Sequence, residues 1–425
     1  MIGTNDMRQY LKKIIFNNEL MDRLLVSRGC RQLEAAYEKR RAYYYDIARK
    51  RGIVYDEGRV QSAVRERLAE RGHLVRKKQL GDVHTFAFIS RRRWHNHLYD
   101  DLKRLGPVSE FDYEGRGYSW GEFARGNRED LARRKEMTDS AFQVILETHK
   151  RMPIDWIFFY VSEIDISPEL VKRIEQEIGV PTVNMSLDDK QCWVRPRKKK
   201  GQLGQVDLAS VFDLSWTSAR VACEWYLCEG GRPIYMPGGC NPRAYQPSAL
   251  VQDIPVSFIG DAYGFRPGVV RWLKQNDIPI QVYGRGWNTQ EIWGDEAVKV
   301  FNRSRINLGM GGIGYSEALT NVKIRDFEVP CGGGGLYVTS FNPDLAFHFD
   351  IGREIVCYSN RHEMVEMLHY YLSHPDEAIL IAARGRRRCL NEHCWLNRYV
   401  KICQMLGILD DLKDEKILAK EYLGE

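Results

Sequence analysis

Short apolar runs alternate with segments of helical spacing through most of this chain. Between residues 83 and 236 the apolar runs are rich in β-branched and aromatic residues, as buried strands are. The predicted strands of this set are 83–89, 108–113, 156–161, 180–185, 211–215 and 232–236. Strands that alternate with helices are typical of βαβ units on a parallel sheet.

A second alternating set begins after Gln252. Its predicted strands are 256–259, 280–283, 306–308, 336–339 and 355–357, and a helix is predicted near 319–329. Residues 247–253 are predicted to link the two sets. We therefore predict an α/β protein with two Rossmann-like doubly wound domains, which face each other across a crevice at the carboxyl ends of their strands.

The N-terminal segment has a different pattern and a different charge. Apolar residues recur at near-helical spacing over residues 5–78, which predicts helices. Residues 1–78 contain 19 Lys and Arg against 10 Asp and Glu, a net charge of +9, whereas the remaining 347 residues carry −3. This basic segment could meet an anionic membrane surface, an anionic acceptor or nucleic acid, the last being the least favoured, or it could be a solvated extension. We expect its helices to dock on the first domain or on a second subunit, as in a homo-oligomer.

Length and composition bound the remaining possibilities. A chain of 425 residues is too long to fold around one hydrophobic core. We therefore divide it into a helical extension, two domains and a helical tail, at residues 1–78, 79–250, 253–405 and 406–425. No apolar run approaches the roughly 20 residues of a membrane span, and no secretory signal is visible. The ten cysteines form no CxxC pair, which favours reduced thiols in the cytoplasm. We expect a cytoplasmic protein that could attach peripherally to the inner membrane surface.

The densest chemical signal lies in the sequence NVKIRDFEVPCGGGG, residues 321–335. If it is helical from its start, Asn321, Arg325 and Glu328 share one face. A carboxylate at Glu328 can accept hydrogen bonds from two ribose hydroxyls, and Lys323 and Arg325 suit a diphosphate. The alternative is an ordinary ion pair between Arg325 and Glu328.

Glycine-rich turns follow three predicted strands of the second domain. Gly311 and Gly312, in GMGGIG, would let the backbone approach a phosphate closely. Gly260 ends the first strand, and Arg266 follows it closely enough to reach an anionic leaving group. After the next strand, Tyr283, Gly284 and Trp287 could line a pocket for a base. The alternative is that Gly284 only forms a turn and that the two aromatic side chains only pack in the core.

The first domain offers carboxylates at its predicted strand ends. Asp188 and Asp189 follow a strand directly, where a catalytic base would face the crevice. The alternative is that they form a turn and a helix cap. Glu163 is a third such carboxylate, and the basic stretches 91–93 and 195–200 could lie in the crevice or in solvent.

The second domain resembles a known enzyme family. Residues 257–406, with the motifs SFIGDAYGFR, INLGMGG and NVKIRDFEVPCGGGGLYVT, resemble the C-terminal domain of CgeB-like glycosyltransferases, which are related to retaining enzymes of the two-domain GT-B fold. Residues 79–250 look similar to the N-terminal half of such proteins, notably in VPTVNMSLDD and RPIYMPGGCNPRAYQP. Where the wider class often has a second glutamate, eight residues before Glu328, this chain has Thr320.

The resemblance implies sugar transfer from a nucleotide-sugar donor to an acceptor. It implies that Glu328 binds the donor ribose, and that Arg266, Lys323 and Arg325 lie near the diphosphate. The first domain would bind the acceptor, whether a glycan, a lipid-linked molecule or a protein. The sequence leaves two further interpretations open: a nucleotide-sugar epimerase on the same fold, and a non-catalytic protein that binds anions or nucleic acid.

The sequence predicts no cofactor and no metal. Many transferases hold a metal–diphosphate complex with an Asp-x-Asp motif, which does not occur in this chain. Cationic side chains and backbone amides could neutralise a leaving diphosphate instead. Cys389, His393 and Cys394 are the one cluster in the sequence that suggests a metal site, but no second set of ligands with metal-site spacing accompanies them.

Overall fold

The computed structural model describes residues 19–90, 97–119, 127–162, 164–194 and 204–410. The chain divides into two compact units. The N-terminal unit comprises Arg40–Arg243 and Cys389–Glu425, and the C-terminal unit comprises Met1–Lys39 and Ala244–Arg388. The chain thus passes between the units near residues 39, 243 and 388, whereas the sequence suggested divisions at 78, 250–253 and 405.

The N-terminal unit is built on a parallel sheet. Its strands are β1 (Thr85–Ile89), β2 (Val108–Asp112), β3 (Trp156–Phe159), β4 (Thr182–Ser186), β5 (Leu214–Thr217) and β6 (Pro233–Tyr235). Their order is β2-β1-β3-β4-β5-β6, and all neighbours are parallel. A strand lies at every predicted position, because strands buried on both faces are continuous apolar runs in the sequence.

The C-terminal unit has a parallel sheet and a small hairpin. The sheet strands are β7 (Ile254–Ile259), β8 (Ile280–Tyr283) and β9 (Ser304–Leu308), followed after the hairpin by β12 (Leu336–Ser340) and β13 (Val356–Tyr358). Their order is β13-β12-β9-β7-β8. Between β9 and β12 the chain forms an antiparallel hairpin of β10 (Gly312–Ile313) and β11 (Ser316–Thr320). The predicted fold class, α/β with two Rossmann-like sheets and an N-terminal helix, is confirmed.

Helices connect and flank these strands. In chain order they are α1 (Glu19–Arg51), α2 (Glu57–Glu70), α3 (His97–Leu105), α4 (Arg128–Arg151), α5 (Pro168–Glu177), the single turn α6 (Asp189–Cys192), α7 (Arg220–Cys228), α8 (Arg266–Gln275), α9 (Gly294–Arg303), α10 (Arg325–Gly332), α11 (Arg361–Ser373), α12 (Pro375–Glu392) and α13 (Trp395–Met405). Short 3-10 turns occur at Gln205–Leu208 and Pro343–Phe347. Among the described residues, no helix is both long enough and apolar enough to cross a membrane.

The N-terminal unit is completed by the C-terminal end of the described chain. The ring of Tyr399, on α13, lies 5.7 Å from the ring of Phe158 and 6.2 Å from that of Trp216, centroid to centroid. Trp395 also packs on Trp216, at 6.1 Å. Aromatic pairs at these distances add to the free energy of burial. Helix α13 is therefore part of the core of the N-terminal unit.

Helix α2 docks on the same unit through buried ion pairs. Asp213, directly before β5, is 1% exposed and accepts two hydrogen bonds from Arg71, at 2.8 and 2.9 Å. Arg67 donates to the same carboxylate at 3.0 Å. Of the helices predicted for residues 5–78, α2 therefore docks on the first domain as expected, and part of its positive charge is neutralised there. The expectation is wrong for the part of α1 up to Lys39, which belongs to the C-terminal unit.

The helix predicted near 319–329 is wrong over its first half. Ser316–Thr320 form β11, where Thr320 pairs with Gly312, and α10 begins only at Arg325. The Asp326 side chain accepts a hydrogen bond from the Lys323 backbone N–H at 2.7 Å, so this turn closes on a side chain in place of a helical carbonyl. Asn321 therefore does not share a helical face with Arg325 and Glu328.

Candidate donor-binding site

The turns after β7 and β8 are tied together at Gly260. The N–H of Gly260 donates to the carbonyl of Tyr283 at 2.8 Å, and its carbonyl accepts from the Trp287 indole at 2.7 Å. Gly284 has φ +130°, and a Cβ there would lie 2.7 Å from the Gly260 carbonyl carbon. Only glycine fits such a position. The backbone at Gly260 is thus fixed by hydrogen bonds from Trp287 and to Tyr283 and by the close approach of Gly284.

Two arginines converge on Gly260. A Cβ at Gly260 would lie 3.3 Å from an Nη1 atom of Arg266 and 3.3 Å from that of Arg325. The two nitrogen atoms are therefore separated by no more than twice this distance. Since like charges repel, paired guanidinium groups at the end of a parallel strand favour an anion between or beside them.

Arg266 is held in place by its surroundings. It is 7% exposed, donates to the Asp261 carbonyl at 3.1 Å, and lies over the Tyr263 ring with its Cζ 4.3 Å from the centroid. Burial lowers the pKa of Arg266, and the nearby Arg325 lowers it further. Arginine nevertheless keeps its charge in proteins. Within the described residues, Nε of Arg266 and Nε of Arg325 have no hydrogen-bond partner.

A buried carboxylate fixes the start of α10. Asp326 is 2% exposed and accepts from the Tyr337 hydroxyl at 2.6 Å as well as from the Lys323 backbone. Burial raises the pKa of Asp326, and these hydrogen bonds oppose the rise. The bonds place Lys323 just before the helix and Arg325 at its first turn, where backbone N–H groups also favour an anion.

Glu328 lies one turn into α10 beside Arg325. It is partly buried, and burial raises the pKa of Glu328 while Arg325 and a hydrogen bond from the Tyr245 hydroxyl lower it. Tyr245 is itself 6% exposed, and its carbonyl accepts from Cys331 Sγ at 3.7 Å. No local pattern indicated Tyr245, because it lies far from Glu328 along the chain. A carboxylate with one oriented donor keeps acceptor capacity for ligand hydroxyls.

The glycine turn after β9 is anchored to the neighbouring strands. Gly311 N–H donates to Ser340 Oγ at 3.1 Å, Ser340 donates to the Tyr358 hydroxyl at 3.0 Å, and Tyr358 donates to the Gly309 carbonyl at 2.9 Å. A Cβ at Gly309 would lie 2.3 Å from the Tyr337 hydroxyl oxygen, so a side chain cannot be accommodated there. Sequence reasoning missed Ser340 and Tyr358, whose polar positions within apolar strands were the available signal.

The remaining predicted glycine and asparagine positions adjoin this turn. Asn321 N–H donates to the Gly311 carbonyl at 3.0 Å. A Cβ at Gly312 would lie 2.6 Å from Phe265, so the glycine lets the hairpin pack on the residue that precedes Arg266. The predicted donor-binding residues therefore lie at two neighbouring turns of the C-terminal unit, the Gly260 turn and the Gly311 turn.

The predicted catalytic carboxylates belong to the N-terminal unit and differ from each other. Asp189 is fully buried and accepts hydrogen bonds from Ser186, Thr217 and Tyr226, at 2.6, 2.5 and 3.1 Å. Burial raises the pKa of Asp189 to about 6. Asp188 is exposed at the N-terminus of α6. Of the pair, only Asp188 is therefore exposed to solvent.

Several other predicted positions lie outside the described residues. These are Glu163 and the basic stretches 91–93 and 195–200. Over the described ranges, no group of three or more His, Cys, Asp or Glu side chains is arranged to hold a metal ion. The predicted metal independence stays a prediction. His393 is hydrogen-bonded through Nδ1 to Arg398 at 2.9 Å, and Cys394 Sγ donates to backbone carbonyls at 3.5 Å.

Comparisons with known proteins agree with this fold. Residues 266–404 match a family model described as Glycosyl transferase-like. The fold is similar to that of a sucrose-phosphate synthase from Thermosynechococcus elongatus, with 11% identity and a TM-score of 0.54 over 76% of this chain and 98% of that one. No curated protein matches the chain.

Two further structures resemble the chain at a lower level. One is Anabaena HepE in complex with UDP and glucose, with 10% identity and a TM-score of 0.49 over 77% of this chain and 100% of that one. The other is a UDP-N-acetylglucosamine 2-epimerase, with 11% identity and a TM-score of 0.44 over 79% of this chain and 99% of that one. The family match supports a glycosyl transferase-like domain at residues 266–404, and the likeness to the synthase supports the predicted GT-B fold.

Proposed function

We propose that this protein is a CgeB-like glycosyltransferase that transfers a sugar from a nucleotide-sugar donor without a metal ion. The observation that carries the proposal is the convergence of Arg266 and Arg325 on Gly260. This pair lies at the carboxyl end of a parallel strand, where ligands bind in open α/β sheets. Both arginines also lie within residues 266–404, the segment that matches the glycosyl transferase-like model.

The donor diphosphate is assigned to the two arginines and to Lys323. Each guanidinium group can form two parallel hydrogen bonds to phosphate oxygens. The carboxylate of Glu328 is assigned to the ribose hydroxyls, with Tyr245 holding one of its oxygens. As the bond to the sugar breaks, negative charge grows on the diphosphate, and cations already in place stabilise that charge.

The acceptor is assigned to the N-terminal unit, and its chemistry is a glycan, a lipid-linked molecule or a protein. Asp188 is the better candidate for a catalytic base, because Asp189 is buried and already accepts three hydrogen bonds. A base has to reach the proton that it removes. Attachment to an anionic membrane surface is assigned to the exposed basic side chains of α1, among them Arg28, Arg31 and Lys39.

The experiment that tests the proposal is incubation with nucleotide sugars in the absence of acceptor. The purified protein is mixed with a panel of donors that differ in base and sugar, and the products are separated. Slow release of nucleotide supports transfer to water by a transferase. A changed sugar on an intact nucleotide supports an epimerase instead. If no donor binds, the protein belongs to neither class and the function proposed for Arg266 and Arg325 is wrong.

A further inference from the structure

The β10–β11 hairpin continues directly from the Gly311 turn of the candidate donor site. At its inner end, the Gly311 carbonyl and the Asn321 N–H are hydrogen-bonded at 3.0 Å. At its outer end, the chain turns at Gly314, which has φ +57°, and continues through Tyr315. A hairpin of two short strands is only marginally stable by itself. Its outer end therefore needs a partner.

The N-terminal half of α1 packs on this outer end. Leu33 Cδ2 lies 3.2 Å from where a Cβ at Gly314 would be. A Cβ at Gly29 would lie 2.5 Å from Cδ2 of the Tyr315 ring, so the ring rests on the helix at the one position without a side chain. Glycine inside a helix costs about 1 kcal/mol relative to alanine. The contact with Tyr315 gives a physical reason for glycine at this position.

A buried polar contact fixes the register of this packing. Ser316 is fully buried and donates its hydroxyl to Glu34 Oε1 at 2.5 Å. The same serine oxygen accepts from the Leu319 N–H at 2.9 Å. Glu34 also accepts from Cys30 Sγ at 3.1 Å. Hydrogen bonds to an ionised carboxylate are about twice as strong as neutral ones. Helix α1 thus supplies the carboxylate that accepts the hydrogen bond from Ser316, the first residue of β11.

The outer end of the hairpin also touches the loop that leads to Arg266. Gly264 has φ +61°, and a Cβ there would lie 1.7 Å from the Gly314 carbonyl oxygen. The two backbones are therefore in direct contact. A displacement of the hairpin turn would move the β7–α8 loop, because neither side has an adjustable side chain between them.

We infer that the N-terminal half of α1 is a clasp that holds the β10–β11 hairpin in its ligand-binding position. Glu34 is a positioning residue, which acts on Gly311 and Asn321 through Ser316 and the hairpin. This inference rests on the proposed function, because it takes the Gly311 turn to be part of the donor site. The helix is then a working part of nucleotide binding and not an appendage.

The test compares Glu34→Ala, Glu34→Gln and Gly29→Ala in the full-length protein. Glu66→Gln is the control for charge, since Glu66 is an exposed helical residue of α2. Gly58→Ala is the control for glycine, because Gly58 is an exposed helical residue of α2, where a Cβ would meet Asp56 Oδ1 at an ordinary contact distance of 3.4 Å. Three quantities are measured: hydrogen exchange of peptides that span residues 312–323, the Kd for the nucleoside diphosphate that wild-type protein binds best, and the Tm.

Glu34→Ala and Gly29→Ala are expected to speed exchange in the hairpin at least tenfold and to raise the Kd about tenfold. Glu34→Gln should give smaller changes, because its amide oxygen still accepts from Ser316. Both controls should match the wild type. A purely structural contact would lower the Tm without a change in Kd, and that result would overturn the inference, as would unchanged exchange. If wild-type protein binds no nucleoside diphosphate, the proposed function fails, and the exchange data alone decide whether α1 clasps the hairpin.

Discussion

Replacing Arg325 by glutamine separates ligand binding from folding. The Nη1 atoms of Arg266 and Arg325 are at most roughly 6.6 Å apart, since each lies 3.3 Å from one point at Gly260. Their repulsion is at least roughly 2.5 kcal/mol at an effective dielectric constant of about 20. Arg325 also stabilises the charged form of Glu328, which opposes this repulsion. We therefore expect Arg325→Gln to change the free energy of unfolding by only about 1 kcal/mol.

Binding of a nucleoside diphosphate should respond much more strongly. A hydrogen bond to a charged group contributes about 1.5–3 kcal/mol, so the Kd should rise about 10–150-fold. The corresponding nucleoside lacks the diphosphate, and its Kd should stay the same. Calorimetric titration of both ligands, with thermal unfolding of the free protein, measures these quantities. Arg353→Gln is the matched control, because Arg353 is in the same unit and its side chain is 71% exposed.

Two results would refute this reasoning. An unchanged Kd for the diphosphate in a folded Arg325→Gln protein would mean that the guanidinium group does not contact the ligand. An equal loss of affinity for the nucleoside would mean that the substitution disturbs the site as a whole. Only a loss confined to the phosphorylated ligand agrees with paired arginines at Gly260.

Three further predictions concern acidity, metal and charge. Because burial raises the pKa of Asp189 to about 6, above the ordinary value of 3.8, this carboxyl favours folding at low pH, and its contribution is lost as the pH rises through about 6. Between pH 3 and pH 7, the free energy of unfolding of the wild-type protein should therefore fall by about 3 kcal/mol relative to that of Asp189→Asn, as measured by denaturant unfolding. The same pH dependence in both proteins would contradict this. Sugar transfer should survive EDTA, and an absolute need for manganese or magnesium would show that Arg266 and Arg325 do not suffice. Replacing Arg28, Arg31 and Lys39 with glutamine should weaken binding to anionic liposomes about 100-fold, at roughly 1 kcal/mol for each charge, as measured by sedimentation. Unchanged binding by the variant, or no binding by the wild type, would exclude α1 as the contact.

The sheets were predictable because their signals are local. Residues 156–159 (WIFF) are apolar on both faces of β3, and such a run has few alternatives in a parallel sheet. The strand Ser316–Thr320 was not predictable in this way, since its sequence SEALT suits a helix. Its strand conformation comes from pairing with Gly312 and from contact with α1, which are properties of the folded chain.

The candidate site shows the same division between local and distant information. Residue chemistry indicated Arg266, Arg325 and Glu328 as ligand-binding residues, because cations and a carboxylate suit a nucleotide diphosphate. The sequence could not show that both arginines meet at Gly260, or that Tyr245 orients Glu328, since these contacts join distant segments. Nor could it distinguish exposed Asp188 from buried Asp189, because burial depends on the packing of α7 over β5.

The position of α13 has a consequence for biosynthesis. Trp395 and Tyr399 belong to the core of the unit whose first strand is made some 300 residues earlier. The ribosome therefore releases the C-terminal unit, whose last segment ends at Arg388, before it releases the residues that finish the N-terminal unit. During that interval the aromatic surface around Trp216 is uncovered and open to chaperones or to aggregation. A stop codon placed after Arg388 should thus damage mainly the half of the protein that is synthesised first.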